Sequence, residues 1–424
     1  MPRRNETAKS AELRHSHTCE AEIYQAKGRG SAKPHEDLSL VQMSKRSAVE
    51  PFHAMDVLAE ATRRRDAGHP VISMAVGQPA YPAPKAALEA ARRALEHGRL
   101  GYTDALGTLS LKQAIAAHYQ SRHGIAVDPQ RIAVTTGSSA GFNLAFLALF
   151  DPGDCVAVAR PGYPAYRNIL ATLGLTVVEI DANAQTGFTL TPESLERAAE
   201  KAGRPLKGVL LASPANPTGT VTGRARLKAL ADYCGTQSIA FISDEIYHGL
   251  TFAGEEATAL EVADDAVVIN SFSKYYCMTG WRIGWMVLPE TQVRAFERIA
   301  QSLYISPPEL SQIAAEAALG AQEELDGYKR AYAANRDLLL KRLPEIGLSI
   351  ASPMDGAFYA YVDVSRFTND SMAFARRMLS EINVAATPGF DFDPVEGHRT
   401  MRFSYAGSTP EMAEAMDRLA RWLA

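Results

Sequence analysis

The chain has 424 residues, enough for two or three domains of about 100–200 residues and for a large core without disulfides or metals. Hydrophobic residues make up 46% and charged residues 22%, which excludes a wholly disordered chain, a fibre and a membrane bundle. Lys plus Arg number 44 against 48 Asp plus Glu, a formal charge of −4, so neither nucleic acid nor an anionic membrane is favoured as a partner.

Residues 1–42 carry scattered charges, no apolar period and one aromatic, Tyr24. Arg3 and Arg4 are not followed by the apolar stretch of a secretory signal. The segment is predicted to be a disordered extension, because it has no apolar face to offset the entropy of ordering. Met43 reads as an alternative start. A chain begun at Met43 is then expected to keep the melting temperature and kcat of the full chain. The four cysteines, Cys19, Cys155, Cys234 and Cys277, form no CxxC pair. His15 and His17 beside Cys19 lie in the extension, so no metal site is expected. Few, scattered cysteines suit a reducing cytoplasm, the expected location. The most apolar stretch, Ala140 to Phe150, is too short to span a bilayer.

From Ser47 to about Gly124 the pattern is helical with one strand, Val71–Ala75. A different rhythm begins at Ile132. Apolar, β-branched runs at Ile132–Thr135, Cys155–Ala159, Thr176–Ile180 and Gly208–Ala212 alternate with helical stretches. Ile239–Ser243, Ala266–Asn270 and Ile283–Leu288 continue it. Continuous apolar strands between helices predict a mostly parallel sheet covered on both faces. Residues 291–343 read as helices, broken at Ser306-Pro307-Pro308. Leu348–Ile350, Ala357–Val362 and Thr400–Ser404 read as strands, and Met412–Leu423 as a closing helix. The fold class expected is α/β: a central, mostly parallel sheet of about seven strands flanked by helices, plus a smaller α+β domain built from the chain ends. Expected boundaries are 43–90 for the first part of the small domain, 91–290 for the large domain, and 291–424 for linker helices and the rest of the small domain.

Ligands of open α/β sheets bind at the carboxyl ends of the strands, so the residues just past each strand are the candidates for chemistry. After Ile132–Thr135, the turn Gly137-Ser138-Ser139 opens a helix, and free backbone N–H groups there suit an anion. Ser213-Pro214-Ala215-Asn216-Pro217 is a rigid turn after the strand Gly208–Ala212. Asp244 comes directly after a buried strand, and its carboxylate needs a partner. Ser271-Phe272-Ser273-Lys274 places a lysine at the same edge, where desolvation lowers an amine pKa toward Schiff-base chemistry. Arg282 stands eight residues later. Each feature alone has a plain structural reading: a capped helix, an ordinary turn, a locally paired acid. Chance would not collect them at one sheet edge.

Ser213–Gly219, Ser243–Tyr247 and Ser271–Gly284 closely resemble the class I/II aminotransferases of pyridoxal-phosphate fold type I. The resemblance runs from about Ser47 to the C-terminus. It implies pyridoxal 5′-phosphate held by Lys274 as an aldimine, with Lys274 then shuttling the substrate proton. Asp244 would partner the pyridine nitrogen, and Asn216 and Tyr247 the 3′-oxygen. Ser138, Ser139, Ser271, Ser273 and Arg282 would hold the phosphate. Tyr163 would stack on the ring. Tyr102 would reach the phosphate of a neighbouring subunit, which implies a homodimer with shared active sites. Arg402 and the Gly77 loop, with Asn216, would take the substrate carboxylate. The implied reaction moves an amino group between an L-amino acid and a 2-oxo acid. A β-lyase, decarboxylase or racemase on the same lysine is the alternative, and an aminotransferase-like regulator a remote one.

One departure bears on specificity. Some aspartate-specific relatives carry a lysine in the phosphate loop, where this chain has Ser139. With the apolar segment Val49-Glu50-Pro51-Phe52, this predicts apolar or aromatic donors over aspartate. Phe358 and Tyr359 read first as core strand residues, from the apolar run around them.

Overall fold

A computed structural model describes residues 43–424. The extension expected at 1–42 lies outside the described residues. Twelve strands are described in chain order. The first eight are β1 (Ile72–Met74), β2 (Ile132–Thr135), β3 (Cys155–Arg160), β4 (Thr176–Asp181), β5 (Leu206–Ala212), β6 (Ala240–Asp244), β7 (Val267–Ser271) and β8 (Gly284–Val287). The last four are β9 (Ser349–Ile350), β10 (Tyr359–Asp363), β11 (Val384–Pro388) and β12 (Thr400–Ser404).

Seven strands form the large sheet in the order β2-β8-β7-β6-β5-β3-β4. Pairings among β3 to β7 are parallel, while β8 runs antiparallel to both β2 and β7. The reason is the link between β7 and β8. It holds only a short 3-10 turn, Thr279–Trp281, and no crossover helix that could return the chain parallel. Strands β2, β7 and β8 are buried along their whole length, whereas the edge strand β4 is largely open. Successive residues feed opposite cores. Val209, Phe241, Val268 and Trp285 pack on one face. Leu210, Ile242, Ile269 and Met286 pack on the other, against Phe142 and Phe146 of the helix Gly137–Leu149.

The smaller sheet has the order β1-β11-β12-β10-β9, and only the β1–β11 pairing is parallel. β1 comes from early in the described chain and the other four from its end. β11 has no counterpart among the strands expected from the sequence. Its Val-Ala-Ala-Thr-Pro run dilutes two strand formers with two alanines and ends in proline, yet it is buried throughout. The break at Pro307-Pro308 separates helices Val293–Leu303 and Glu309–Ala318. The last helix, Thr409–Leu423, starts earlier than its apolar pattern, because Ser408 and Glu411 form a capping box. From Lys45 onward the chain is one compact unit.

Candidate active site

The direction of β8 assembles one side of the site. Because β8 returns antiparallel, Gly284 at its start pairs with Thr135 and Ser271, the carboxyl ends of β2 and β7. Arg282, just before it, therefore faces the start of the helix Gly137–Leu149. A Cβ added at Gly137, whose φ is +74°, would meet the Arg282 guanidinium at 2.3 Å. Only a glycine lets the arginine lie this close to the helix N-terminus. Ser138 and Ser139 in that first turn, with Ser273 and Arg282, form a wall of hydroxyls, free N–H groups and one cation.

Lys274 and Asp244 both line the cavity, and the charge of each acts on the other. Lys274 Nζ donates to the Gly77 carbonyl at 2.6 Å. Burial first, then the guanidinium charges of Arg402 and Arg282, push the amine down to about 8. Asp244 ends β6 and is buried. Its carboxylate accepts from the Tyr166 hydroxyl and from the Ile246 N–H at 3.1 Å. Desolvation outweighs those bonds and raises it to about 6.

The smaller sheet supplies the opposite wall. Arg402 in β12 is buried, at 3% exposure. Its Nη1 donates to Asn216 Oδ1 at 2.8 Å and its Nη2 to the Ala75 carbonyl at 2.5 Å. Nε has no partner. The Tyr359 and Phe392 rings lie 4.2 and 4.6 Å from the guanidinium carbon.

Eleven of the residues singled out in the sequence line this one cavity: Gly77, Ser138, Ser139, Tyr163, Asn216, Asp244, Tyr247, Ser273, Lys274, Arg282 and Arg402. Phe52 lines it too, as its apolar segment suggested. Two residues stand apart. Ser271 sits behind Ser273, its hydroxyl oxygen 3.1 Å from the Ile283 carbonyl oxygen and 2.9 Å from Ser273 Oγ. Tyr102 is 83% exposed and outside the cavity of its own chain. Sequence reasoning missed Tyr166. Phe358 and Tyr359 are both core residues, as expected, and Tyr359 lines the cavity as well. The apolar run around both gave no signal to separate them; alternation along β10 does, since neighbours point to opposite faces.

His248, next after the Asp244–Tyr247 turn, is the buried member of a polar cluster whose other two members are half-buried. His123, His248 and Glu256 bring ligand-type atoms within 4.8 Å of one another. The Glu256 carboxylate is already occupied by Arg122, the Gly249 N–H and the Thr251 hydroxyl.

The chain belongs to the aminotransferases of class I and II, whose family model matches residues 69–419. It is thus an aminotransferase, moving an amino group between an amino acid and a 2-oxo acid. It is 49% identical over 383 residues to a valine–pyruvate aminotransferase of Mycobacterium tuberculosis, covering 89% of this chain and 97% of that one. It is 35% identical over 382 residues to an aspartate/prephenate aminotransferase of Thermus thermophilus, with 89% and 97% coverage. A crystal structure of an aminotransferase from Mycobacterium tuberculosis superposes with a TM-score of 0.87 at 48% identity, covering 90% of this chain and 99% of the other.

Proposed function

We propose that the cavity binds pyridoxal 5′-phosphate on Lys274, and that the protein works as a cytoplasmic homodimer on L-amino acids with apolar side chains. The observation that carries this is the half-buried Lys274 amine, lowered to about 8, in the same cavity as a buried Asp244 carboxylate that only neutral donors hydrogen-bond. A carboxylate so placed suits a protonated pyridine nitrogen. The helix N-terminus with Ser138, Ser139, Ser273 and Arg282 suits a phosphate, with Ser271 bracing Ser273 from behind. Asn216 and Tyr247 would take the 3′-oxygen and Tyr163 the ring face.

Pyridoxal phosphate, when bound, supplies the electron sink that makes a substrate Cα–H acidic. The chain's own residues do the rest. Arg402 holds the substrate carboxylate, which outcompetes the neutral Asn216 oxygen now on Nη1. Lys274 Nζ, partly unprotonated near neutral pH, would take the Cα proton and deliver it to C4′ of the cofactor rather than back to Cα. Asp244 keeps its charge beside the ring nitrogen. Retaining the carboxylate on a buried arginine favours transamination over decarboxylation.

Specificity is set by what the cavity lacks. Its cations are Lys274, Arg282 and Arg402, all with assigned roles, while Phe52, Met55 and Val76 form an apolar wall. An aspartate side chain would lie desolvated and unpaired there. The similarity to a valine–pyruvate enzyme supports the same choice, with pyruvate as acceptor. For the dimer, Leu100, Tyr102, Leu303 and Ile305 are exposed. They gather where Gly101 N–H meets Glu309 and Thr103 N–H meets Ser306. Such an apolar patch suits a second subunit. Free Cys155, Cys234 and Cys277 suit a reducing compartment.

The test is to add pyridoxal phosphate to wild type and Lys274→Ala, record the absorbance of the lysine-bound cofactor, and compare kcat/KM for valine, leucine, phenylalanine, aspartate and glutamate with pyruvate. The expected result is absorbance and turnover only in the wild type, with apolar donors ahead. Unchanged activity in Lys274→Ala, or a clear advantage for aspartate, would overturn the corresponding part.

A further inference from the structure

Tyr359 opens β10 and is buried, at 1% exposure. Across the β10–β12 pair it stands opposite Ser404, while Tyr361 stands opposite Arg402. Tyr359 and Arg402 are thus diagonal neighbours on one face, within reach of an aromatic ring. Its ring lies 4.2 Å from the Arg402 guanidinium carbon. Its hydroxyl oxygen lies 2.7 Å from that of Tyr247. A Cβ added at Gly77 would fall 1.6 Å from the same oxygen. Gly77 therefore leaves the space that Tyr359 fills, and its carbonyl accepts from Lys274. One side chain abuts the carboxylate anchor, the cofactor-side phenol and the loop that holds the lysine.

We propose that Tyr359 is a positioning residue with two separable parts: its ring holds Arg402 for the substrate carboxylate, and its hydroxyl sets the donor strength of Tyr247. The inference rests on the roles given above to Arg402 and Tyr247. Only one phenol can donate into a bond between two hydroxyls. If Tyr247 donated to Tyr359, its proton would be lost to the cavity. With Tyr359 donating, the Tyr247 proton stays free, and the polarised Tyr247 becomes the stronger donor. Burial pushes both phenols above their ordinary range, so both keep their protons at working pH. The guanidinium on the ring face is held by the ring quadrupole and keeps its plane fixed.

Two variants separate the parts. Tyr359→Phe keeps ring and volume and removes the hydroxyl. A weaker Tyr247 donor leaves the proton on Lys274 Nζ harder to remove. The pH midpoint of the lysine-bound cofactor's absorbance should therefore rise by at least about half a unit. The amino-acid KM should stay within about twofold of wild type. Tyr359→Leu removes the ring as well, and KM for the donor should rise by about 5- to 20-fold. Binding of a non-reacting carboxylate analogue should weaken in parallel. An unchanged midpoint in Tyr359→Phe would remove the hydroxyl's role. Wild-type KM in a folded Tyr359→Leu would remove the ring's. Should the Leu variant not fold, the absorbance titration of the Phe variant still decides. A wild type that shows no lysine-bound absorbance at all would instead overturn the cofactor assignment on which the proposal stands.

Discussion

Asp244 shows how a single side chain is set by conflicting demands. Its position at the end of β6 removes it from water, and that desolvation raises it to about 6 despite two hydrogen bonds. A cation at the ring nitrogen would reverse the balance. Asp244→Asn keeps the shape and removes the charge. Removing one partner of a buried ion pair costs about 3–5 kcal/mol. Charged against the transition state, that lowers kcat by about two to four orders of magnitude. The variant is expected to bind cofactor, seen by absorbance, and to turn over valine at that reduced rate; near-wild-type kcat would leave Asp244 a structural residue. Gly77 is constrained from the other side of the cavity. Gly77→Ala must displace the Tyr359 hydroxyl, because its Cβ would lie 1.6 Å away. Overpacking of this kind costs about 1–3 kcal/mol. A lower urea midpoint and a raised donor KM are expected together, and an unaltered KM would show that the loop simply yields.

The helix His53–Asp66 begins without a cap of its own. Phe52 stands at its N-cap position and offers no side-chain acceptor. Asp391, far along the chain, accepts from the His53 N–H at 2.9 Å and the Ala54 N–H at 2.7 Å, one on each carboxylate oxygen. The first turn of this helix carries Ala54 and Met55 into the cavity wall beside Phe52. The cap therefore fixes the apolar wall as well as the helix. Asp391→Ala should cost about 1–2 kcal/mol, the usual loss of an N-cap acceptor. Denaturant unfolding would read that loss. The KM for valine should rise while the affinity for a small carboxylate analogue holds, because Arg402 is untouched. If both affinities stayed at wild-type values, the wall would be held by packing, including the Phe52–Tyr163 edge contact, rather than by the cap.

At the scale of the whole molecule, buried titratable groups beneath the site tie stability to pH. Glu245 is wholly buried, and three donors converge on its Oε1: Ser243, Thr258 and the Ala259 N–H. Desolvation still raises it from 4.5 to about 8. Between those values the folded chain binds more protons than the unfolded one, so stability from this group is full below 4.5 and lost as pH rises through about 8. His248 acts in the opposite sense. Burial lowers it from 6.5 to about 4, so its contribution is present above 6.5 and lost as pH falls toward 4. From 6.5 upward only the Glu245 trend remains of the two. The urea midpoint should decline from there toward about 8, and Glu245→Gln should flatten that decline. Parallel profiles for the two proteins would show that Glu245 is ionised in the fold.

Apart from the open edge strand β4, the strands of the large sheet were legible because each is a continuous apolar run between turn signals, a local pattern that burial on both faces demands. The chemistry of Asn216, Asp244, Lys274 and Arg282 was legible for a related reason. These residues sit within a few positions of strand ends, where the chain's own order places them. Three things were decided only by the tertiary structure. The antiparallel return of β8 depends on how the Phe272–Ile283 link packs, and it is what carries Arg282 to the helix at Gly137. The opposite wall depends on contacts far apart in sequence: Arg402 with Asn216 across 186 positions, Lys274 with Gly77 across 197, and His53 with Asp391 across 338. Tyr359 was hidden for the same cause. In the sequence it is one apolar-looking residue beside Phe358, and only the register of β10 on β12 turns its ring onto Arg402 and its hydroxyl onto Tyr247. Local sequence fixes which residues a strand delivers to its end; pairing across the fold fixes which of them meet.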